Sequence, residues 1–230
     1  MPDITEYTLS CGVSEKTVFA LVSDLHNRPY EEFLSAVRER KPDFVLAPGD
    51  ILERTEERQD MGLAFLTGLA REFPVFYAPG NHERDIDRET LERIRKTGAV
   101  WLENASARLG KLNIGGISGE FELTDEARAF LDAFCLQGGV RILLCHQPDR
   151  YFHYIRNYDI PVVVSGHAHG GQIRIFGQGL FAPQQGIFPK WTSGVHENRL
   201  VVSRGLANHT IVPRLWTRPE VCFVTLTPKQ

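Results

Sequence analysis

The chain has 230 residues, 42% hydrophobic and 24% charged, with a formal charge of -3 and a pI near 6.2. That composition fits an ordinary globular protein able to bury roughly 70–75% of its unfolded surface, and with no Lys/Arg-rich run it argues against a nucleic-acid-binding face. Cys11, Cys135, Cys145 and Cys222 form no CxxC pair and read as reduced, mostly buried thiols rather than a disulfide or zinc framework.

The opening MPDITEYTLSCGVSEK has neither the basic nor the apolar region of a signal peptide. No run reaches the ~18–20 apolar residues of a membrane span, so a cytoplasmic location is expected. From residue 17, short apolar runs alternate with helical patterns. TVFALVSD (17–24) precedes YEEFLSAVRERK (30–41), whose Phe33, Leu34 and Val37 share one helical face. DFVLAPGD (43–50) and PVFYAPGN (74–81) come next. Then follow DRETLERIRKTG (87–98), stopped by Gly98, and TDEARAFLDAF (124–134), opened by Thr124. VRILLCH (140–146) and IPVVVSGH (160–167) complete the set. Continuous, β-branched-rich runs suit strands buried on both faces, and their alternation with helices predicts α/β layering. The tail differs: QIRIF, RLVVSRG and EVCFVTLTP read as strands without helices between them, which predicts a second, largely antiparallel sheet. With no repeat or linker, residues 1–230 are expected to form one domain, two stacked sheets with helices outside.

Every apolar run closes on Asp, Asn or His: Asp24-Leu25-His26, Gly49-Asp50, Gly80-Asn81-His82-Glu83, His146, and Gly166-His167-Ala168-His169. Taken singly, each block reads as turn chemistry or a hydrogen-bonded core histidine. Ligands of α/β sheets bind beyond the carboxyl ends of strands, so if the five runs share one edge, these residues converge. They then exceed the four to six ligands of a single ion. Carboxylate and amide oxygens mixed with imidazoles suit Mn²⁺, Fe²⁺, Zn²⁺, Co²⁺ or Ni²⁺, and two ions ~3.5–4 Å apart form a clamp for in-line attack at phosphorus. His167 and His169, at alternate positions on an extended segment, should point the same way.

These five blocks, in this order, resemble the calcineurin-like metallophosphoesterase superfamily, whose motifs run D-x-H, GD, GNH plus an acid, H, and GHxH. The tail segments GGQIR (170–174), FAPQQGIFPKW (181–191), VVSRGLAN (201–208) and RPEVCFVTL (218–226) look like a bacterial branch containing a manganese-dependent phosphodiesterase, related to UDP-2,3-diacylglucosamine pyrophosphohydrolases. The resemblance implies a four-layer αββα sandwich of two mixed sheets. It also implies one metal on Asp24, His26, Asp50 and His169 and a second on Asp50, Asn81, His146 and His167, with Asp50 bridging. His82 would be the non-ligand histidine at the leaving group. Mn²⁺ is the first expectation for the metal.

The implied reaction is hydrolysis of a P–O bond by metal-activated hydroxide, with the water's pKa lowered toward ~7 and His82 protonating the leaving oxygen or stabilising charge there, worth ~10²–10⁴ in rate. Glu83 is expected to orient His82. The expected substrate is a small phosphodiester or nucleotide-linked molecule, with no obligate protein partner. Substrate choice is assigned to residues 177–198, where Lys190, Trp191 and His196 could meet a phosphate or aromatic group; Arg28, Asn27 and His209 are further candidates. Branch members often begin with an anchor or export signal, which is not visible here. Two rivals remain: a phosphomonoesterase or protein phosphatase, echoed by GNHE and Arg54, and a non-catalytic scaffold of the same fold.

Overall fold

The computed structural model describes residues 1–55, 58–182, 185–207 and 214–229. Strand β1 (Asp3–Ser10) leads into β2 (Thr17–Leu21), helix α1 (Glu31–Arg40), β3 (Phe44–Ala47), α2 (Asp60–Ala70), β4 (Val75–Tyr77), α3 (Arg88–Lys96) and β5 (Val100–Trp101). Strands β6 (Ala105–Leu109) and β7 (Leu112–Gly116) precede α4 (Asp125–Cys135) and β8 (Val140–Leu144). A short helical turn, Pro148–Arg150, widens into Tyr151–Ile155 before β9 (Val162–Ser165). Two small hairpins follow, β10 (Arg174–Ile175) with β11 (Gln178–Gly179) and β12 (Phe181–Ala182) with β13 (Gly186–Ile187). Strands β14 (Gly194–His196), β15 (Leu200–Val202) and β16 (Glu220–Thr227) end the order.

The helices start where their capping chemistry allows. Asp87 accepts the Thr90 N–H ahead of α3, and Thr124 accepts the Ala127 N–H ahead of α4. Helix α1 places Glu31 and Glu32 in its first turn and Arg38 and Arg40 in its last, complementing its dipole.

Side-chain alternation along the strands builds the layers. Phe19, Leu21, Phe44 and Leu46 of one sheet meet Ile142, Leu144, Val162 and Val164 of the other. From the opposite pleats, Ala20, Val45 and Ala47 pack on α1 and α2, while Leu143 and Val163 pack against Leu131 and Phe134 of α4. Strands covered on both sides must be apolar throughout, which is why the runs are continuous rather than alternating. Each fully buried Phe, Leu or Val contributes roughly 1.5–3 kcal/mol. The result is the four-layer αββα sandwich. One sheet has the order β1-β16-β2-β3-β4-β5 and the other β14-β15-β9-β8-β7-β6, and both are mixed.

The tail corrects the sequence reading. The second sheet is built mainly on the parallel strands β7, β8, β9 and β15, and EVCFVTLT does not join it. That strand lies in the first sheet, parallel to β1 and antiparallel to β2. Val221 and Phe223 face the helices, while Cys222, Val224 and Leu226 face the other sheet. A strand apolar on both faces needs a covered interior position, which the gap between β1 and β2 provides. QIRIF contributes only the two residues of β10. The five runs are also divided between the sheets, three in the first and two in the second.

Candidate metal centre

Beyond the strand ends the ladders continue as single hydrogen bonds. Asp24 N–H donates to Gly49 O at 3.1 Å and His26 N–H to Asp50 O at 3.0 Å. From the other sheet, Gly166 N–H donates to His146 O at 3.0 Å. Ala207 N–H donates to Asp24 O at 2.8 Å, joining the loop after β15 to the first block. Here the backbone turns sharply: Asp24, His26, Asn27, Asp50, His167 and His169 all have positive φ, between 46° and 67°. Non-glycine residues in that region are uncommon and cost on the order of 1–3 kcal/mol each, so their gathering at one place marks a functional site. His167 and His169 therefore do not lie on an extended segment; they flank a tight turn, and their rings enter different groups of ligand atoms.

Two glycines make this crowding possible. A Cβ on Gly80 would stand 2.2 Å from Asp50 Oδ1, and one on Gly166 would stand 2.3 Å from Asp24 Oδ2. Gly80→Ala is expected to cost about 1–3 kcal/mol through overpacking. That lowers Tm by roughly 2–4 °C per kcal/mol in a chain of this size, and displacement of Asp50 should weaken metal binding, both measurable by thermal melting with and without Mn²⁺.

Among the described residues, the potential ligand atoms fall into three groups, each within 4.8 Å: Asp24, His26 and His169; His26, Asp50 and His82; and Asp50, His146 and His167. Second partners fix the tautomers. His169 Nδ1–H donates to Ala207 O at 3.1 Å, and His26 Nδ1–H to Glu53 Oε2 at 3.2 Å. Their Nε2 lone pairs consequently face each other at 3.3 Å. His146 Nδ1–H donates to Pro48 O at 2.7 Å, turning Nε2 toward Asp50 Oδ2 at 3.0 Å and His167 Nδ1 at 3.2 Å. The Asn81 Oδ1 is buried without a partner. Acceptors converging this closely need positive charge between them, so the donor set fits divalent cations.

The protonation states agree. Burial, with the Arg214 guanidinium adding to it, pushes His169 well below its ordinary range. Burial pulls His146 the same way, but the Asp50 carboxylate outweighs it and lifts His146 to about 9. Burial would raise Asp50 itself; His146, with His26 and His82 behind it, holds it well below the usual carboxylate range.

Glu53, which the sequence reading passed over, links the centre to His82. Its Oε1 accepts His82 Nδ1–H at 3.0 Å while its Oε2 accepts from His26. Burial alone would raise this carboxyl, but the two imidazoles and Thr55 hold it far below its ordinary value. Glu83 does not orient His82. Its Oε2 accepts from the N–H groups of Asp50 and Gly80, and its Oε1 from Leu52 N–H and, at 2.5 Å, the Tyr77 hydroxyl. It therefore fixes the loop beneath Asp50. His82 N–H donates to Asp50 Oδ1 at 2.9 Å. Its side chain, 11% exposed, is the most accessible of the five imidazoles.

The remaining candidates lie elsewhere. Asn27 Oδ1 accepts from Met61 and Gly62 N–H, capping α2. Trp191 stacks on Phe152 at 3.8 Å with His196 edge-on to the same ring, a packed aromatic group rather than a phosphate contact. Arg28 and Lys190 are exposed, and His209 lies outside the described residues. A cavity of about 770 Å³ between Gly12, Asp43 and Lys111 is lined mainly by residues at the starts of the strands and has no histidine in its lining, so the chemistry does not belong there.

Residues 17–171, which contain all five blocks, match the family model for calcineurin-like phosphoesterases. The chain is 29% identical to the uncharacterized protein YpbG of Bacillus subtilis (94% of this chain, 82% of that protein) and 28% identical to the phosphodiesterase YaeI of Escherichia coli (82% and 72%). It spans only 57% of the uncharacterized metallophosphoesterase Cj0846 of Campylobacter jejuni, with which it shares 29% identity over 91% of its own length. The fold is similar to that of TT1561 of Thermus thermophilus, with a TM-score of 0.52 and 14% identity over 66% of this chain and 82% of that one. Ligand groups drawn from both sheets and a family match spanning them agree: this chain belongs to the calcineurin-like phosphoesterases.

Proposed function

We propose that this chain is a dinuclear-metal-dependent phosphodiesterase acting on a small phosphodiester or nucleotide-linked substrate, with residues 1–230 working as one domain. The observation that carries this reading is the convergence of imidazole lone pairs and carboxylates in three adjoining groups, successively linked through His26 and Asp50. One ion is assigned to Asp24, His26, Asp50 and His169, the other to Asp50, Asn81, His146 and His167. When bound, the pair supplies Lewis acidity, drawing in phosphate oxygens and acidifying water.

The chain's own residues do the rest. Glu53 and the carbonyls of Ala207 and Pro48 hold three imidazoles in the tautomer that presents Nε2. Glu83 holds the backbone under Asp50 through three N–H groups. His82, oriented by Glu53 and reaching toward solvent, is placed to give a proton to the departing oxygen. The diester preference is supported by the likeness to the phosphodiesterase YaeI.

The test is steady-state hydrolysis of bis(p-nitrophenyl) phosphate against p-nitrophenyl phosphate, with metal-stripped protein titrated with Mn²⁺ and then with Fe²⁺, Zn²⁺, Co²⁺ and Ni²⁺. Metal-activated turnover favouring the diester by about tenfold or more is expected. A monoester preference would reassign the chain as a phosphomonoesterase, and no turnover with any ion would overturn the enzymatic reading.

A further inference from the structure

Three loops beside the metal centre end in consecutive exposed apolar residues: Ile175-Phe176, Ile187-Phe188 and Leu215-Trp216. Phe176 is 106% exposed, Trp216 77% and Ile187 75%. Backbone hydrogen bonds join the three. Arg174 N–H donates to Leu215 O at 3.0 Å, Leu180 N–H to Ile173 O at 2.8 Å and Phe188 N–H to Leu180 O at 3.0 Å. Phe176 and Trp216 line one shallow cleft with Arg174 and Ile175. Arg174 also donates to Gly170 O, so this corner is anchored to the turn carrying His169.

Contiguous exposed apolar surface of this kind marks a contact with something else, and the charge pattern says what. From residue 160 to 219 the chain has six Arg and Lys and a single acid, Glu197, although its overall charge is -3. Arg204 is neutralised by Glu220 and Asp3, and Arg174 and Arg214 are bound to backbone carbonyls. Arg199 is likewise held by the carbonyls of Ile160, Arg156 and Tyr158. Lys190 and Arg218 are exposed, each two residues beyond an apolar pair, with Arg218 at 3.9 Å from the Asp3 carboxylate. Exposed Trp and Phe side chains in a stretch where cations outnumber acids match the interface of an anionic bilayer, where aromatics settle at headgroup level and Lys/Arg meet phosphate.

We propose that the tips at Phe176, Phe188 and Trp216 dock this chain on an anionic lipid surface. No helix among the described residues is long and apolar enough to cross a membrane, so attachment would be peripheral. The inference is independent of the hydrolytic reading.

The test is cosedimentation of the full chain with vesicles of phosphatidylcholine plus phosphatidylglycerol, and with vesicles of phosphatidylcholine alone. Binding to the anionic vesicles should be about tenfold stronger and should weaken with salt. The Phe176→Asp/Trp216→Asp double variant should lose roughly tenfold or more of that binding while keeping its hydrolysis of bis(p-nitrophenyl) phosphate. Lys190→Gln/Arg218→Gln, which alters only exposed side chains, should reduce the anionic preference. Wild-type chain that stays in the supernatant with both vesicles would overturn the proposal, as would variants that bind like the parent. Self-association abolished by the double variant, without vesicle binding, would reassign the corner to a second copy of the chain.

Discussion

Asp50→Ala is expected to lower metal-activated phosphoester hydrolysis by about 10³-fold or more, because a metal pair contributes several kcal/mol of transition-state charge stabilisation and each ~1.4 kcal/mol is tenfold in rate. Asp50 belongs to two of the three ligand groups and connects them. Its Oδ2 faces His146 and its Oδ1 receives the His82 N–H, so one truncation removes a shared anion and releases the backbone of the proton donor. The number of divalent ions retained after gel filtration should fall in parallel with kcat/KM. Turnover within about tenfold of the parent would remove Asp50 from the bridging position.

The second large effect is expected at Glu53. Its two carboxylate oxygens serve two imidazoles, His26 and His82, and an amide cannot replace it. Glutamine has one acceptor oxygen, so in Glu53→Gln one Nδ1–H must face an NH₂ group. Loss of an outer-shell partner costs about 10–100-fold in metal affinity or activity, and misorienting a general acid forfeits part of a further 10²–10⁴. Glu53→Gln should therefore raise the Mn²⁺ concentration needed for half-activation and also lower kcat at saturating metal, for a combined loss of roughly 10²–10³. His82→Ala should lower kcat by about 10²–10⁴ and leave the metal requirement unchanged. If both variants shifted only the metal requirement, His82 would be a ligand rather than a proton donor.

The candidate cluster was legible in the sequence because each block sits where an apolar run ends, and strand ends of both sheets meet at one seam. What escaped was decided by contacts distant in sequence. Glu53 lies in an irregular loop, and Gln59 turns it inward by accepting its N–H at 2.9 Å and donating to its carbonyl at 2.7 Å; a carboxylate between the second block and a helix was the available signal. Glu83 was assigned to His82 by adjacency, but neighbouring residues in a tight loop face different partners, and its carboxylate is taken by three N–H groups and Tyr77. Helix α2 gave no amphipathic period because Gly62, Leu63, Phe65, Leu66, Gly68 and Leu69 are all buried. Strand β1 exposes Ile4 and turns Thr5 inward, which blurs the two-residue alternation.

The position of β16 has a consequence for how the chain matures. Its eight residues pair with β1 from Asp3↔Glu220 to Ser10↔Thr227, and on the other side with β2 from Leu21 to Thr17. On the ribosome, β1 and β2 emerge well before the neighbour they share, which is translated about two hundred residues later, roughly ten seconds or more at ordinary synthesis rates. Until that strand arrives, β2 has an open edge next to the block bearing Asp24 and His26. Alignment of the candidate ligands is thus a late event of biogenesis, and a nascent chain stalled before residue 220 would have every one of those side chains but not the sheet that aligns them.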